Sequence, residues 1–226
     1  MKTSRRNKAS ASKIPATEQD CPRCGKPPAL CVCDAIAPVD NRVELLILQH
    51  PQEQDRELGT ARLTALTLKH ATLKIGLSWP SLAKALGRPV DPRHWAVLYL
   101  GSVSPANLPR DRELVAVDGK GAPLADQRHA LGEIEGVVLL DGSWSQAKTL
   151  WWRNPWVLKC RRLVLNPKQR SRYGTLRREP RRESLSTLEA AALALSHLAA
   201  QPEVEAALLK SFLLLLERYR AATIAS

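Results

Sequence analysis

Near the middle of the chain the sequence reads Leu139-Leu140-Asp141-Gly142-Ser143-Trp144-Ser145-Gln146-Ala147. The apolar run Val137–Asp141 that enters this stretch is short and shows little polar alternation, which is typical of a strand buried on both faces of a parallel sheet. The glycine permits a tight turn, and Ser143–Trp152 then has the pattern of a helix that ends before Asn154-Pro155. The stretch therefore predicts a buried strand that turns directly into a helix.

Similar apolar runs occur along the chain, and segments with helical periodicity lie between them. We predict further strands at Val43–Gln49, Trp95–Leu100, Leu114–Val117 and Leu163–Leu165. Helical patterns span Arg56–Ile75, Ser81–Leu86, Thr187–Ala200 and Glu203–Ala222. A capping box, Ser186-x-x-Glu189, opens the third of these helices, and Pro202 opens the last. Strands that alternate with helices predict an α/β fold with a mostly parallel sheet.

The composition is that of a globular protein with an excess of positive charge. The chain has 226 residues, 44% of them apolar, and a net charge of +12. This apolar content excludes a wholly disordered chain, and no apolar run approaches the roughly 20 residues of a membrane span. Met1–Pro15 lacks the apolar segment of a secretory signal. We therefore expect a cytoplasmic protein with no membrane partner.

Asp141 is the first candidate for chemistry because of its position at a strand end. In open α/β sheets ligands bind beyond the carboxyl ends of the strands. Backbone N–H groups at the start of the following helix favour an anionic group there. An alternative is that Asp141, Ser143 or Ser145 merely caps the helix. The residues alone leave both interpretations open.

Four cysteines lie close together near the start of the chain, with the spacing C-x2-C-x6-C-x-C. Four thiolates are the preferred ligands of a structural zinc ion, and a CxxC turn directs two sulfurs to one point. A redox CxxC or a pair of disulfides is less favoured, since no βαβ pattern surrounds the motif and nothing indicates an oxidising compartment. We predict structural Zn²⁺ bound by Cys21, Cys24, Cys31 and Cys33.

The positive charge is concentrated in one segment. Lys159–Arg182 contains ten basic residues and one acidic residue, so it carries +9 of the net +12. Arginine matches phosphate geometry, and nearby aromatic residues offer stacking faces, so RNA is favoured over a merely solvated surface. The predicted RNA-binding residues are Arg161, Arg162, Lys168, Arg170, Arg172, Tyr173, Arg177, Arg178, Arg181 and Arg182.

Asp141-Gly142-Ser143-Trp144 resembles the signature of the DTW-domain family, which shares a superfamily with a group of ribosomal-RNA enzymes. Serine stands where the family commonly has threonine, so the hydroxyl is retained. The resemblance extends from about residue 21 to the C-terminal helices. Besides the cysteine cluster, it includes His50-Pro51-x-Glu53, Gly59–Leu63, Asn166-Pro167, Tyr173-Gly174-x-Leu176-Arg177 and Leu185–Ala190.

The resemblance implies a function and a fold. Bacterial members are tRNA-uridine aminocarboxypropyltransferases, which move the 3-amino-3-carboxypropyl group of S-adenosylmethionine to N3 of a tRNA uridine and leave 5′-methylthioadenosine. Their fold is similar to the SPOUT class, with a C-terminal trefoil knot. We therefore expect a disordered basic tail at 1–20, a zinc knuckle at 21–40 and a SPOUT-like catalytic domain at 41–226, acting as a monomer on tRNA.

The resemblance also suggests roles for individual residues. Uridine N3–H is a weak acid, so a positioned carboxylate that accepts its proton would assist the attack. We assign this role to Asp141 and add Ser143 and Trp144 as catalytic candidates. The donor-binding candidates are Leu100, Gly101, Ser102, Asp141, Gly142, Leu165, Asn166, Ser186 and Thr187. The roles of His50 and Glu53 stay open. The rival functions are a SPOUT-type RNA methyltransferase and a non-catalytic, zinc-containing RNA-binding protein.

Overall fold

The structure, a computed structural model, describes residues 19–54, 56–98, 103, 107–174, 176 and 185–224. A six-stranded sheet in the order β2-β1-β5-β3-β6-β4 forms the centre of this part of the chain. Only β4 runs antiparallel to its neighbour, β6, so the predicted α/β fold with a mostly parallel sheet is confirmed. The strands are β1 (Glu44–Gln49), β2 (Ala71–Ile75), β3 (Trp95–Leu98), β4 (Leu114–Val117), β5 (Gly136–Asp141) and β6 (Arg161–Leu165).

Helices cover both faces of the sheet. Their bounds are α1 (Ala61–Thr67), α2 (Leu82–Leu86), α3 (Gln127–Gly132), α4 (Trp144–Arg153), α5 (Thr187–Ala199) and α6 (Pro202–Ile224). In β1, Leu45 and Ile47 belong to the hydrophobic core on the side of α1, α5 and α6, whereas Leu46 and Leu48 belong to the core on the side of α2. This alternation explains why the central strands are apolar on both faces.

Most helix starts agree with the sequence-based predictions. Ser81, Ser143 and Ser186 are the N-caps of α2, α4 and α5, and each side chain accepts a hydrogen bond from a backbone N–H of its helix. The capping box predicted for Ser186 and Glu189 is present. None of the helices in the described ranges combines the length and apolarity that crossing a bilayer requires.

The single helix predicted at Arg56–Ile75 is wrong. Helix α1 ends at Thr67, and the chain then forms the edge strand β2, which pairs in parallel with β1. The side chain of Asn41 stops the helix because it accepts from the backbone N–H of His70 at 2.9 Å and donates to the His70 carbonyl at 3.0 Å. Leu68 and Leu73 fit a helical period, but the pairing with β1 decides the conformation.

Two smaller differences concern the third and sixth strands. The strand predicted at Trp95–Leu100 is observed as far as Leu98, and the last two residues of the prediction lie outside the described residues. Strand β6 begins at Arg161, two residues earlier than predicted. Cys160 precedes it and is buried, and this burial raises the pKa of its thiol to about 12. Such a cysteine has no nucleophilic role at neutral pH.

Candidate active site

Asp141 and Gln49 face each other at the carboxyl ends of two central strands. The parallel register of β1 and β5 aligns Gln49 with Asp141. Gln49 is 4% exposed, and its Nε2 donates a hydrogen bond of 2.8 Å to Oδ2 of Asp141. The hydroxyl of Thr187, the first residue of α5, donates to the other carboxylate oxygen, Oδ1. Two donors from two different elements therefore hold the carboxylate in one orientation.

Gln49 is the site residue that the sequence-based prediction missed. The signal was present, because Gln49 ends the apolar run of β1 just as Asp141 ends that of β5. Polar residues that end neighbouring parallel strands meet at one edge of the sheet. Without the strand order, however, the sequence did not show that β1 and β5 are neighbours.

In the turn between β5 and α4, the residues that cap the helix are different from the candidate catalytic residue. Ser143 and Gln146 form a capping box, in which the Ser143 N–H donates to Gln146 Oε1 at 2.6 Å. A Cβ atom at Gly142 would lie 2.8 Å from Cβ of Gln146, so glycine is required for this close approach. The helix cap is thus Ser143, while Asp141 precedes the cap and bonds to β1 and α5 instead.

The start of α5 is also held by a capping box, whose glutamate has a second task. Glu189 Oε2 accepts from the N–H and the hydroxyl of Ser186 at 2.9 and 2.8 Å. The same carboxylate accepts from the Ser171 hydroxyl and the Arg172 N–H, both at 2.7 Å. Ser186 is buried, and its hydroxyl caps α5 by accepting from the Glu189 N–H. It therefore does not face a ligand, contrary to the prediction for this residue.

A cavity of about 260 Å³ opens beside Asp141. It lies at the carboxyl ends of β3, β5 and β6 and next to the first turn of α5, and its walls are mostly aliphatic. The residues on both sides of Asp141 line it, as does Thr187, which donates to the Asp141 carboxylate. The lining residues are Leu98, Leu139, Leu140, Gly142, Leu163, Val164, Leu165, Leu185, Thr187 and Ala190.

The donor-binding candidates other than Asp141 and Ser186 separate into three groups. Gly142, Leu165 and Thr187 line the cavity. Asn166 does not, because its side-chain amide donates to the backbone oxygens of Arg112 and Pro109, at 3.2 and 3.4 Å. This amide therefore fixes the chain after β6 and is not among the groups that line the cavity. The candidates Leu100, Gly101 and Ser102 lie outside the described residues.

Three of the predicted RNA-binding residues form an exposed basic cluster between β6 and α5. Lys168, Arg170 and Arg172 are exposed and line a second cavity, of about 240 Å³, between this loop and α5. The Lys168 N–H donates to Glu113 Oε1 at 3.0 Å, which anchors the loop at one end. The cluster reaches α5 through the bond between the Arg172 N–H and Glu189. Arg177, Arg178, Arg181 and Arg182 lie outside the described residues.

The structure contradicts the RNA-binding assignment of Tyr173 and places Arg161 at the opposite end of β6 from the basic cluster. Tyr173 is 1% exposed: its ring packs edge-on against Phe212, and its hydroxyl donates to the Leu58 carbonyl at 2.6 Å. Its ring therefore belongs to the core and cannot stack on a base. Arg161 begins β6, at the sheet edge opposite the cavity, where it pairs with Glu133 and lowers the pKa of that carboxyl. Arg162, the next residue of β6, is partly buried.

The four clustered cysteines have the geometry of a metal site. Their sulfur atoms all lie within 4.8 Å of one another, and Sγ of Cys21 is 3.9 Å from Sγ of Cys33. Tetrahedral Zn²⁺ with Zn–S bonds of 2.3 Å separates its sulfurs by about 3.8 Å. Gly25, with φ of +66°, makes the turn that brings the first two cysteines together. The cluster therefore fits a four-thiolate zinc ion.

The protein environment affects the cysteines unequally. Backbone N–H groups of Cys24 and Arg23 lower the pKa of the Cys21 thiol to about 6. Burial raises the pKa of the Cys24 and Cys33 thiols above their ordinary value. A bound cation would compensate the cost of ionising these two buried groups.

Buried Lys26 connects the cysteine cluster with the chain that leads into α1. Its Nζ donates to the Glu57 carbonyl at 2.5 Å and to the Arg56 carbonyl at 3.4 Å, and burial lowers its pKa to about 8. The cluster also contacts the C-terminal helix, because the turn Pro28–Leu30 packs on α6 and Asp34 pairs with Arg218 at 2.9 Å. The knuckle is thus packed into the main fold.

Comparison with known proteins identifies the family of this chain. The family model described as the DTW domain matches residues 18–220. The chain belongs to the DTW-domain family. The match covers the cysteine cluster, the strand that ends in Asp141 and both C-terminal helices of this DTW-domain protein. No solved structure matches it significantly.

Three curated relatives of this DTW-domain protein are each named tRNA-uridine aminocarboxypropyltransferase 2. The relative from Drosophila melanogaster is 30% identical over 200 residues, which cover 87% of this chain and 73% of the relative. The relative from Mus musculus is 31% identical over 78% of this chain and 55% of its own length. The relative from Macaca fascicularis is 28% identical over 84% of this chain and 60% of its own length. The chain thus spans roughly half to three quarters of these longer proteins.

Proposed function

We propose that this protein is a tRNA-uridine aminocarboxypropyltransferase, which forms 3-(3-amino-3-carboxypropyl)uridine in tRNA. The names of the relatives support the reaction, and membership of the DTW-domain family supports the same reaction for this chain. The single observation that carries the proposal is the Asp141 carboxylate, oriented by Gln49 and Thr187 beside a cavity. A carboxylate at this position could accept the N3 proton of a uridine bound beside the cavity.

Asp141 has the capacity to accept a proton while it stays oriented. A carboxylate offers about four acceptor positions, and Gln49 and Thr187 occupy two of them. S-Adenosylmethionine supplies the 3-amino-3-carboxypropyl group, whose bond to sulfur breaks as the bond to N3 forms, and the neutral thioether 5′-methylthioadenosine leaves. Because that leaving group needs no proton, a base without a partner acid suffices. Ser143 holds the turn after Asp141. Trp144 is a candidate contact for the uracil ring of the substrate.

The cavity suits the proposed donor. Its aliphatic walls, which include Leu98, Leu139 and Leu165, fit the adenosine and methyl groups. In the first turn of α5 the N–H groups of Leu188 and Glu189 donate to the hydroxyls of Thr60 and Ser186, so we assign the Thr187 N–H to the donor's carboxylate. Gly142 and Thr187 would then be donor-binding residues. We assign the same role to the segment 100–102, which follows β3 in the sequence.

The basic cluster supports tRNA as the partner. Lys168, Arg170 and Arg172 are exposed and follow β6, beside the first turn of α5 that also lines the donor cavity. We assign them, together with the four arginines at 177–182, to the tRNA phosphates. An enzyme with this substrate acts in the compartment that holds its tRNA, and we propose the cytoplasm.

The resemblance to the SPOUT class leads to a further expectation about the fold. We propose that the chain between β6 and α5 threads a trefoil knot, within a catalytic domain at 41–226 that follows a zinc knuckle at 21–40 and a basic tail at 1–20. The position of Thr187 beside the end of β5, after a long connection from β6, supports this proposal. We expect the knotted protein to be a monomer.

The identity of the small product tests the proposed function. We expect purified protein, incubated with unmodified tRNA and S-adenosylmethionine labelled in its carboxypropyl chain, to transfer the label to uridine and to release 5′-methylthioadenosine. Mass spectrometry of the nucleosides and of the small product checks both results. Release of S-adenosylhomocysteine would instead indicate a methyltransferase. Absence of donor binding by calorimetry would indicate a non-catalytic RNA-binding protein.

Thr187→Val is expected to lower turnover by roughly 10-fold, since it removes one of the two donors that orient Asp141. The valine has nearly the same shape, so folding and tRNA affinity should remain. The measurement is the single-turnover rate at saturating tRNA. Thr223→Val is the matched control, because Thr223 lies on the exposed end of α6 and donates to the Tyr219 carbonyl. Equal rates for wild type and Thr187→Val would contradict the positioning role.

A further inference from the structure

Helix α4 carries two exposed tryptophans and a lysine on its outer face. Trp144, Lys148 and Trp152 follow the spacing i, i+4, i+8, which aligns them along one side of a helix. Trp152 is 76% exposed and Trp144 is 38% exposed. The Nζ of Lys148 lies 5.4 Å from the centroid of the Trp144 ring, within the range of a cation–π contact. We call these three residues the α4 face.

The α4 face lies on the outer side of the helix, and Trp152 is its more exposed tryptophan. The inner side of α4 is formed by Ala147 and Leu150, which are buried, and by Trp151, which packs against the core beside α2. Tryptophan stabilises a fold chiefly by burying its large apolar surface. Trp152 leaves most of that surface exposed, so folding does not explain its presence. A ligand with flat aromatic faces that stacks on the ring would explain it.

The charge around the α4 face identifies the class of ligand. Residues 144–159 include Lys148, Arg153 and Lys159 but no aspartate or glutamate. Exposed aromatic rings interleaved with cations are the pattern that binds single-stranded nucleic acid, through base stacking and phosphate contacts. A second copy of this chain would bring a net charge of +12 towards an already basic surface, which disfavours self-association.

The α4 face is continuous with the site at Asp141. Trp144 follows Asp141 by three residues, and Gly142, between them, lines the cavity. At 1.5 Å per helical residue, Trp152 lies about 12 Å along the helix from Trp144. A strand that delivers a uridine to Asp141 therefore has its neighbouring nucleotides within reach of α4.

From this geometry we infer that the α4 face binds the nucleotides that flank the modified uridine, with Trp152 as a stacking platform and Lys148 as a phosphate contact. This inference rests on the proposed function, because it takes tRNA as the substrate. It assigns a second RNA surface on α4, which packs on the same face of the sheet as α2, whereas the basic cluster lies beside α5 on the other face. The two surfaces together would hold the tRNA on both sides of the reacting base.

Trp152→Ala tests the stacking role. We expect the KM for tRNA and the Kd measured by fluorescence anisotropy to rise about 10-fold, with kcat nearly unchanged, since stacking on one aromatic ring accounts for a change of this size. Trp152→Phe should recover most of the affinity because it retains a ring. Ile224→Ala is the matched control, since Ile224 is 86% exposed on α6, and it should leave KM unchanged. Thermal unfolding checks that each variant is folded.

Lys148→Ala tests the phosphate contact independently. The slope of the logarithm of tRNA affinity against the logarithm of salt concentration should be smaller in magnitude for this variant than for wild type by about one. This is the effect of losing one phosphate contact. Lys210→Ala, which removes an exposed lysine from α6, should keep the wild-type slope. An unchanged slope for Lys148→Ala would overturn the assignment of this lysine.

The outcomes separate this inference from the proposed function. Wild-type tRNA affinity in Trp152→Ala would overturn the inference, even if aminocarboxypropyl transfer is observed. A wild-type dimer that Trp152→Ala converts to a monomer, at unchanged tRNA affinity, would overturn it in favour of an interface between copies. Weakened tRNA binding by Trp152→Ala in a protein that transfers no aminocarboxypropyl group would support the RNA surface and overturn the proposed reaction.

Discussion

Asp141→Asn is expected to reduce aminocarboxypropyl transfer by roughly 10²- to 10⁴-fold, the contribution typical of a general base. The substitution keeps the shape of the side chain but removes its ability to accept the N3 proton. Transfer is measured as single-turnover incorporation of label into saturating tRNA. Affinities for tRNA and for S-adenosylmethionine, measured separately, should stay within a few-fold of wild type.

The surroundings of Asp141 explain why the asparagine variant should fold. The Thr187 hydroxyl can still donate to the amide oxygen, as it does to Oδ1 of the carboxylate. The new amide N–H₂ would face Nε2 of Gln49, which donates to Oδ2. A rotation of the Gln49 amide by 180° presents its oxygen instead and restores the hydrogen bond. The two hydrogen bonds that orient the side chain are thus preserved, and only the basicity is lost.

A matched control for this substitution is Asp126→Asn. Asp126 is exposed and caps α3 by accepting from the His129 N–H at 2.9 Å. Asparagine caps helices about as well as aspartate, so both stability and transfer should be unaffected. Wild-type turnover by Asp141→Asn would exclude Asp141 as the base.

Removal of zinc is expected to have the largest effect on stability. A strong chelator, or Cys24→Ser, should lower the melting temperature by about 10 °C or more, because structural zinc sites contribute much of the folding free energy of their modules. Without the cation, the sulfurs of Cys24 and Cys33 stay buried beside two other thiols. Differential scanning calorimetry and metal analysis, with about one zinc per chain expected in the wild type, measure the effect.

The loss of stability on zinc removal should extend beyond the zinc knuckle itself. Lys26 ties the cluster to the carbonyls of Arg56 and Glu57, and Leu30 and Val32 are buried in the main core. Protection of these segments in hydrogen exchange should therefore decrease together when zinc is removed.

Cys160→Ala is the control for the zinc site. Cys160 is buried in the other core, next to β6, and it does not belong to the four-sulfur cluster. Its variant should keep the full zinc content. A folded protein that contains no metal and has the wild-type melting temperature would contradict the zinc site.

Local patterns were sufficient to predict most of the sheet and the capping box that starts α5. Continuous apolar runs identified β1, β4 and β5, because strands buried on both faces tolerate little else. The edge strand β2 was missed because Leu73 was grouped with the helical pattern of α1, although Ala71, Leu73 and Ile75 alternate with the period of a strand. The bond network of Asn41, which ends α1, comes from a distant part of the sequence.

The candidate site was predictable where it depends on one strand and unpredictable where it depends on the meeting of several. Asp141 was recognised from its position after β5, whereas Gln49 required the pairing of β1 with β5. Tyr173 illustrates the opposite error, because a tyrosine in a basic loop resembles an RNA-stacking residue. The structure turns its ring into the core against Phe212, a contact that sequence neighbours do not reveal.

The two tasks of Glu189 have a consequence for engineering. Because this one carboxylate grips the basic loop at the Ser171 hydroxyl and the Arg172 backbone, the loop's remaining side chains are free of that anchorage. Loops from homologous proteins could therefore be grafted in its place, provided that Ser171 and the buried Tyr173 are kept. Such chimeras would change the exposed charges next to the proposed active site while its carboxylate and helix caps stay in place.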